Sequence, residues 1–231
     1  MEQLRYISFV LALISSASSL AQIPPSTRTK KILRADYFAI SGGVVSNVIV
    51  GSEPDFQRKI YNNVMSPRTG PSFALFLKDE ITPFFYMKYE VGYLRKGNVS
   101  SNNTLWNLNL EYIAVPVKIG FQPVNFLNVT KGIQVGLEGG VAYNFAFSGS
   151  TEALANAYSA ANNAKVRRSA ASVLFGGNFE YMLASKRILF FNTTWYHDLT
   201  PLLSYESGNA AYKAGNRGWM FVLGLMFPVI H

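Results

Sequence analysis

Apolar and polar residues alternate with a period of two along most of the chain, in segments separated by turn-forming residues. From Ile133 to Phe147, the residues Ile133, Val135, Leu137, Val141, Tyr143, Phe145 and Phe147 share one face, interrupted at Gly139. Gln134, Gly136, Glu138, Gly140, Ala142, Asn144 and Ala146 form the other. Strand side chains alternate between sides, so this is a two-faced strand, whereas a helix would scatter the apolar residues around its circumference.

The pattern recurs. Phe85, Met87, Tyr89, Val91 and Tyr93 oppose Tyr86, Lys88, Glu90 and Gly92. Val173, Phe175, Phe179, Tyr181 and Leu183 oppose Ser172, Gly176, Asn178 and Glu180, and Trp219 to Phe227 alternate in the same way. Shorter stretches repeat it near 72–78 and 188–199. Segment 105–121 changes phase: Leu108, Leu110 and Tyr112 share a face, but Val115, Val117, Ile119 and Phe121 have the opposite parity. A β-bulge at Ile113–Ala114, just before Pro116, would restore one apolar face. Segment 37–50 completes a set of eight strands.

The connections alternate in length. Segments 51–69, 148–168 and 199–216 are long and 97–104 falls in the same alternate set, interleaved with turns near 79–83, 123–131 and 185–187. Eight antiparallel strands place all the long connections at one end. The expected fold is therefore all-β: an eight-stranded antiparallel up-and-down transmembrane β-barrel over residues 37–231. A short helix within Thr151–Ala164 is a further expectation, with Ser150 or Thr151 as its cap.

Periodicity alone leaves two orientations, because a soluble lipocalin-like barrel turns its apolar face inward to a ligand cavity. Here the polar face is rich in Gly, Ala, Ser and Asn with about one charge per strand, too little for a wall exposed to water. Only 15% of all residues are charged, while 14% are aromatic. The apolar face is therefore assigned to lipid. Lys78, Lys88, Glu90, Glu111, Lys118, Glu138 and Glu180 then point into a narrow lumen, with Asp198 near its outer rim. Charges of both signs persist there only when paired. Tyr89, Tyr93, Tyr143, Tyr181, Trp195 and Trp219 lie near strand ends as interfacial girdles.

The amino-terminal stretch resembles a secretory signal. Arg5 precedes an apolar run, Tyr6–Ile14, and small residues at Ser19 and Ala21 suit cleavage before Gln22. The apolar run is too short for a spanning helix. The expected organisation is a signal peptide over 1–21, a periplasmic basic arm over 22–36, and the barrel. No cysteine is present, which excludes disulfides and thiol chemistry.

No histidine-rich metal site is expected, since the chain has only two histidines, His197 and His231. His197 is the one candidate for a rim base, but its neighbour Asp198 falls on the opposite face of a regular strand. Leu199 and Trp195, two positions away, offer no nucleophile. No catalytic role is expected. The formal charge of +8 suggests nucleic acid only until it is placed. Arg58, Lys59, Arg68, Arg95, Lys96, Lys165, Arg167, Arg168, Lys213 and Arg217, against Glu53, Asp55, Glu152 and Glu206, put about +6 at the outer rim, and the arm and turns put about +4 at the other. At the outer rim lipid phosphates, those of lipopolysaccharide, are the fitting partner. The long connections also leave room for an extracellular or periplasmic protein partner.

Several segments carry a family resemblance. Glu111-Tyr-Ile-Ala-Val-Pro-Val-Lys118 is similar to a Tyr-x-x-x-Pro-x-x-x-Lys strand, with Tyr112 and Pro116 in place but Lys118 two residues after the proline and not four, and Gly136-Leu-Glu-Gly-Gly-Val-Ala-Tyr143 to a Gly-rich strand. Both motifs belong to the PorT-like group of the Bacteroidota, the outer membrane protein beta-barrel domain family. Gly176–Tyr181 and Gly218–Phe227 extend the likeness. The resemblance implies an outer-membrane location and no cofactor. One departure is that Phe227, in the place of the aromatic residue that ends such barrels, is followed by Pro-Val-Ile-His231.

Overall fold

A computed structural model of the chain describes residues 37–82, 84–101, 107–122, 132–147, 165–207 and 210–229. The expected signal peptide, the basic arm, the helix within 151–164 and His231 lie outside the described residues.

Eight long strands form the wall: β1 (Tyr37–Val50), β2 (Met65–Glu80), β3 (Phe85–Ser100), β4 (Asn109–Phe121), β5 (Ile133–Ala146), β7 (Ser169–Met182), β8 (Ile188–Asp198) and β10 (Ala210–Pro228). Each pairs antiparallel with its neighbour in sequence, and β1 pairs with β10 to close the sheet. Two short strands, β6 (Lys165–Val166) and β9 (Leu203–Ser207), extend the outer end beside the start of β10.

Following register partners once round the wall leads from Phe38 through Leu77, Tyr89, Val117, Val141, Val173, His197 and Arg217 to Val48. The path returns to β1 ten residues further along. Ten residues at about 3.3 Å, against eight spacings of about 4.8 Å, tilt the strands roughly 40° from the axis. A barrel this small encloses little more than its own side chains.

The two faces separate cleanly. Leu137, Val141, Phe175, Leu223 and Ile119 are exposed on the outside, while Lys78, Lys88, Lys118 and Glu138 are buried inside. On β10 the apolar band runs from Phe227 to Trp219, eight residue steps and roughly 20 Å along the axis once the tilt is allowed for. Round the wall, the outward positions between Asp79 at one end and Arg95, His197 and Arg217 at the other are apolar, aromatic or glycine, apart from Ser46 and Thr193. Among the described residues no helix is long and apolar enough to cross a membrane. The strands make the crossing.

The long connections are shorter than the sequence suggested, because hydrogen-bonded structure continues into them. β2 begins at Met65 and β3 runs to Ser100. Segment 51–69 also contains a helix, α1 (Ser52–Tyr61), with Glu53 and Asp55 in its first turn and Arg58 and Lys59 in its last. That charge order complements the helix dipole, and with Pro54 in the first turn it is a helix signal the period-two reading passed over.

The bulge expected at Ile113–Ala114 is absent. β3 and β4 hold one register from Phe85↔Phe121 to Gly97↔Asn109, broken only at Glu90 and Val91, opposite Pro116 and Val115. Proline lacks the N–H that would bond there. The shift in register lies instead between β2 and β3, between Pro67 and Ser72.

Candidate functional site

The lumen is filled in two tiers. Near the periplasmic end, Lys78, Lys88 and Lys118 are consecutive cross-strand neighbours on β2, β3 and β4. Like charges placed side by side repel, and acids on the same and facing strands offset this. Lys78 Nζ donates to both carboxylate oxygens of Glu180, at 2.9 and 2.7 Å, and lies 3.6 Å from Glu80. Lys118 is 2.9 Å from Glu90 and 3.8 Å from Glu138.

Glu138 is the hub. It accepts from Lys88, from the Tyr86 hydroxyl at 2.7 Å, and from Asn192 Nδ2 at 2.7 Å. Asn178 Nδ2 donates to Glu180 at 2.7 Å. Aromatic rings wrap the cations: Lys78 Nζ stands 4.5 Å from the centre of the Tyr86 ring, and Lys88 Nζ 5.0 Å from that of Phe76. Phe76 and Phe190 meet edge to face at 5.2 Å. Ion pairs and ring contacts together replace the water each charge has lost.

The outer tier is mostly apolar. Leu94, Leu108, Leu110, Tyr112, Leu202 and Leu203 are buried together, around a second polar group centred on Asp198. Its carboxylate is 3.4 Å from Lys96 Nζ and accepts from Ser172 Oγ at 2.6 Å, Asn216 N–H at 3.1 Å and Asn216 Nδ2 at 2.7 Å. Lys96, assigned from sequence to an outer connection, faces inward here. Between the tiers, a cavity of about 30 Å³ is bordered by Glu90, Lys118, Asn192, Ser41 and Ser72, polar and roomy enough to hold water.

Six of the seven residues expected in the lumen (Lys78, Lys88, Glu90, Lys118, Glu138 and Glu180) are buried and joined in the network above. Glu111 is not among them. It lies on the outer face, 3.0 Å from Arg95 Nη2 and accepting from the Tyr93 hydroxyl at 3.2 Å. The reason is the parity of β4: Leu110 and Tyr112 fill the outer lumen with apolar side chains, so the strand needs no phase change and Glu111 falls outside.

The six girdle aromatics all stand on the outward face. Tyr93, Tyr143, Trp195 and Trp219 lie towards the outer end, and Tyr181 lies at the periplasmic end of β7. Tyr89 starts within the band, opposite Leu77 and Val117, and its hydroxyl is 3.4 Å from the Met87 sulfur, towards the Asp79 end. His197 stacks on Trp195 at 5.9 Å with 9° between the rings, while Asp198 points into the lumen.

Apolar outside, charged and hydrogen-bonded inside, with no free sheet edge between β1 and β10: this is a transmembrane β-barrel.

Nothing matches the chain among protein-family models or among curated proteins. Among solved structures it is similar to the outer membrane protein OprG from Pseudomonas aeruginosa, with 13% identity and a TM-score of 0.48 over 86% of this chain and 98% of that one. It is also similar to Neisserial surface protein A, with 8% identity and a TM-score of 0.45 over 83% and 97%. A major outer membrane protein from Thermus thermophilus shares 11% identity at a TM-score of 0.45, over 85% and 100%.

Proposed function

We propose that the chain is an integral protein of the bacterial outer membrane, without catalysis, whose lumen is shut by its own side chains. Its role is structural, or lies in interaction and ligand binding through the outer segments. The observation that carries this reading is the Glu138 hub: its carboxylate is engaged by Lys88, Lys118, Tyr86 and Asn192 at once. Such a cross-lumen tie leaves no room for bulk solvent at that level and holds opposite walls together.

The outer end supplies the surface for contact. Ile60, Tyr61 and Val64 are exposed at and just beyond the end of α1, apolar surface beyond the membrane band that suits a protein or ligand partner. The basic rim suits lipopolysaccharide phosphates. The PorT-like resemblance of the Glu111–Lys118 and Gly136–Tyr143 segments fits the same role.

A narrow channel for small solutes is the second reading, favoured by the cavity beside Glu90 and Lys118. Planar-bilayer conductance separates the two. The closed barrel gives no stable, large channels; persistent open-channel steps would establish the second reading instead.

A further inference from the structure

Four ionisable side chains stand on the outward face where the apolar band ends at its outer edge: Arg95, Glu111, His197 and Arg217. Arg95 and Glu111 satisfy each other at 3.0 Å. Arg217 is exposed and has no ion pair among the described residues. Its flanking strands offer it no acid. β8 presents Trp195, His197 and Leu199 outward, and β1 presents Ser46, Val48 and Val50. The nearest carboxylate in sequence, Asp198, faces inward and is held by Lys96, Ser172 and Asn216.

Register gives this cation specific company. Arg217 is the direct cross-strand partner of His197, and Trp219 that of Trp195. Directly paired residues stand about 5 Å apart at Cβ, so the four side chains form one block. The His197 ring is held flat against Trp195, and its Nδ1 is buried without a hydrogen-bond partner. With Nδ1 shielded, the ring meets a ligand through Nε2. Below, Trp219 stacks on Phe221 at 6.4 Å and continues into the apolar band.

We infer that Arg217 and His197, above the platform of Trp195 and Trp219, form a site for the phosphate of an outer-leaflet lipid headgroup. The inference rests on the outer-membrane reading and names the partner of one place on its rim. A guanidinium at a membrane boundary without a protein counter-ion takes one from its surroundings, and its planar fork matches two phosphate oxygens. The indole rings beneath favour the interface, where an apolar body meets a wet edge. The occupant is a lipid and not free phosphate, because the site opens sideways onto the acyl-chain surface.

Native mass spectrometry of the folded full-length chain in neutral detergent tests this, with diphosphoryl lipid A as the probe and its dephosphorylated form as control. The expected result is saturable, phosphate-dependent binding that weakens about tenfold in Arg217→Ala, survives in part in Arg217→Lys, and stays within about twofold in Arg95→Ala. Equal binding of the dephosphorylated lipid would overturn the inference, as would unchanged binding by Arg217→Ala or displacement of the lipid by inorganic phosphate. Heat-modifiable gel mobility of each variant distinguishes the two levels. A folded Arg217→Ala barrel that binds normally removes this site alone, whereas a wild-type chain without such mobility removes the outer-membrane reading and the site with it.

Discussion

The ring of Tyr86 on β3 lies over its cross-strand partner Gly120 on β4, so closely that a Cβ on the glycine would stand 1.9 Å from Tyr86 Cζ. The ring covers a strand backbone that has no side chain of its own, an arrangement that pins register. It also delivers the Tyr86 hydroxyl to Glu138. Gly120→Val displaces the ring and loosens that contact, at a cost of roughly 1–3 kcal/mol or more. Urea unfolding in phospholipid vesicles, followed by the shift in gel mobility between folded and unfolded forms, measures it. A variant as stable as wild type would show that the lumen tolerates rearrangement at this level.

Glu138 ties β5 to β3, β4 and β8. Glu138→Gln leaves Lys88 buried without its anion, and the expected loss is about 3–5 kcal/mol. Removing both charges together, as Lys88→Met with Glu138→Leu, is expected to cost less than the worse single change, since Lys118 keeps Glu90. A double-mutant cycle from equilibrium unfolding reads the coupling. Additive costs would contradict the hub.

The wall was legible because lipid and lumen impose opposite demands on alternate residues, and β5 meets those demands along nearly its whole length. β4 did not read this way. Its outer half turns Leu110 and Tyr112 inward, so apolar parity there reports the filling of the lumen and not contact with lipid. Glu111 was misplaced for that reason. Lys96 reads as part of an outer connection because β3 continues past the apolar run that marks it. Which lysine meets which acid was not readable either, since the pairs Lys78–Glu180 and Lys88–Glu138 span 102 and 50 residues of sequence. Only the closed register brings them together.

Leu223, 56% exposed on the outward face of β10, sits near the middle of the apolar band. Leu223→Arg is expected to destabilise the barrel in phospholipid vesicles by about 2–4 kcal/mol. A wall facing water would accept the same change with an effect within about 0.5 kcal/mol. Vesicle-based urea titrations of the two proteins decide between them.

Arg95 and Glu111 form an ion pair at the rim, with 38% and 28% of their side chains exposed. Solvent screening at such a place leaves an ion pair contributing little to stability. Glu111→Gln should therefore shift the unfolding midpoint far less than Glu138→Gln. A loss matching that of Glu138→Gln would mean that Glu111 is buried, as the sequence pattern alone suggested.

Membrane fractionation of cells producing the full chain, followed by electrophoresis of heated and unheated samples, tests the account most directly. A closed transmembrane barrel stays with the outer-membrane fraction, needs detergent for extraction, and migrates differently before and after heating. A protein recovered without detergent in the soluble fraction, with one mobility whether heated or not, would contradict it.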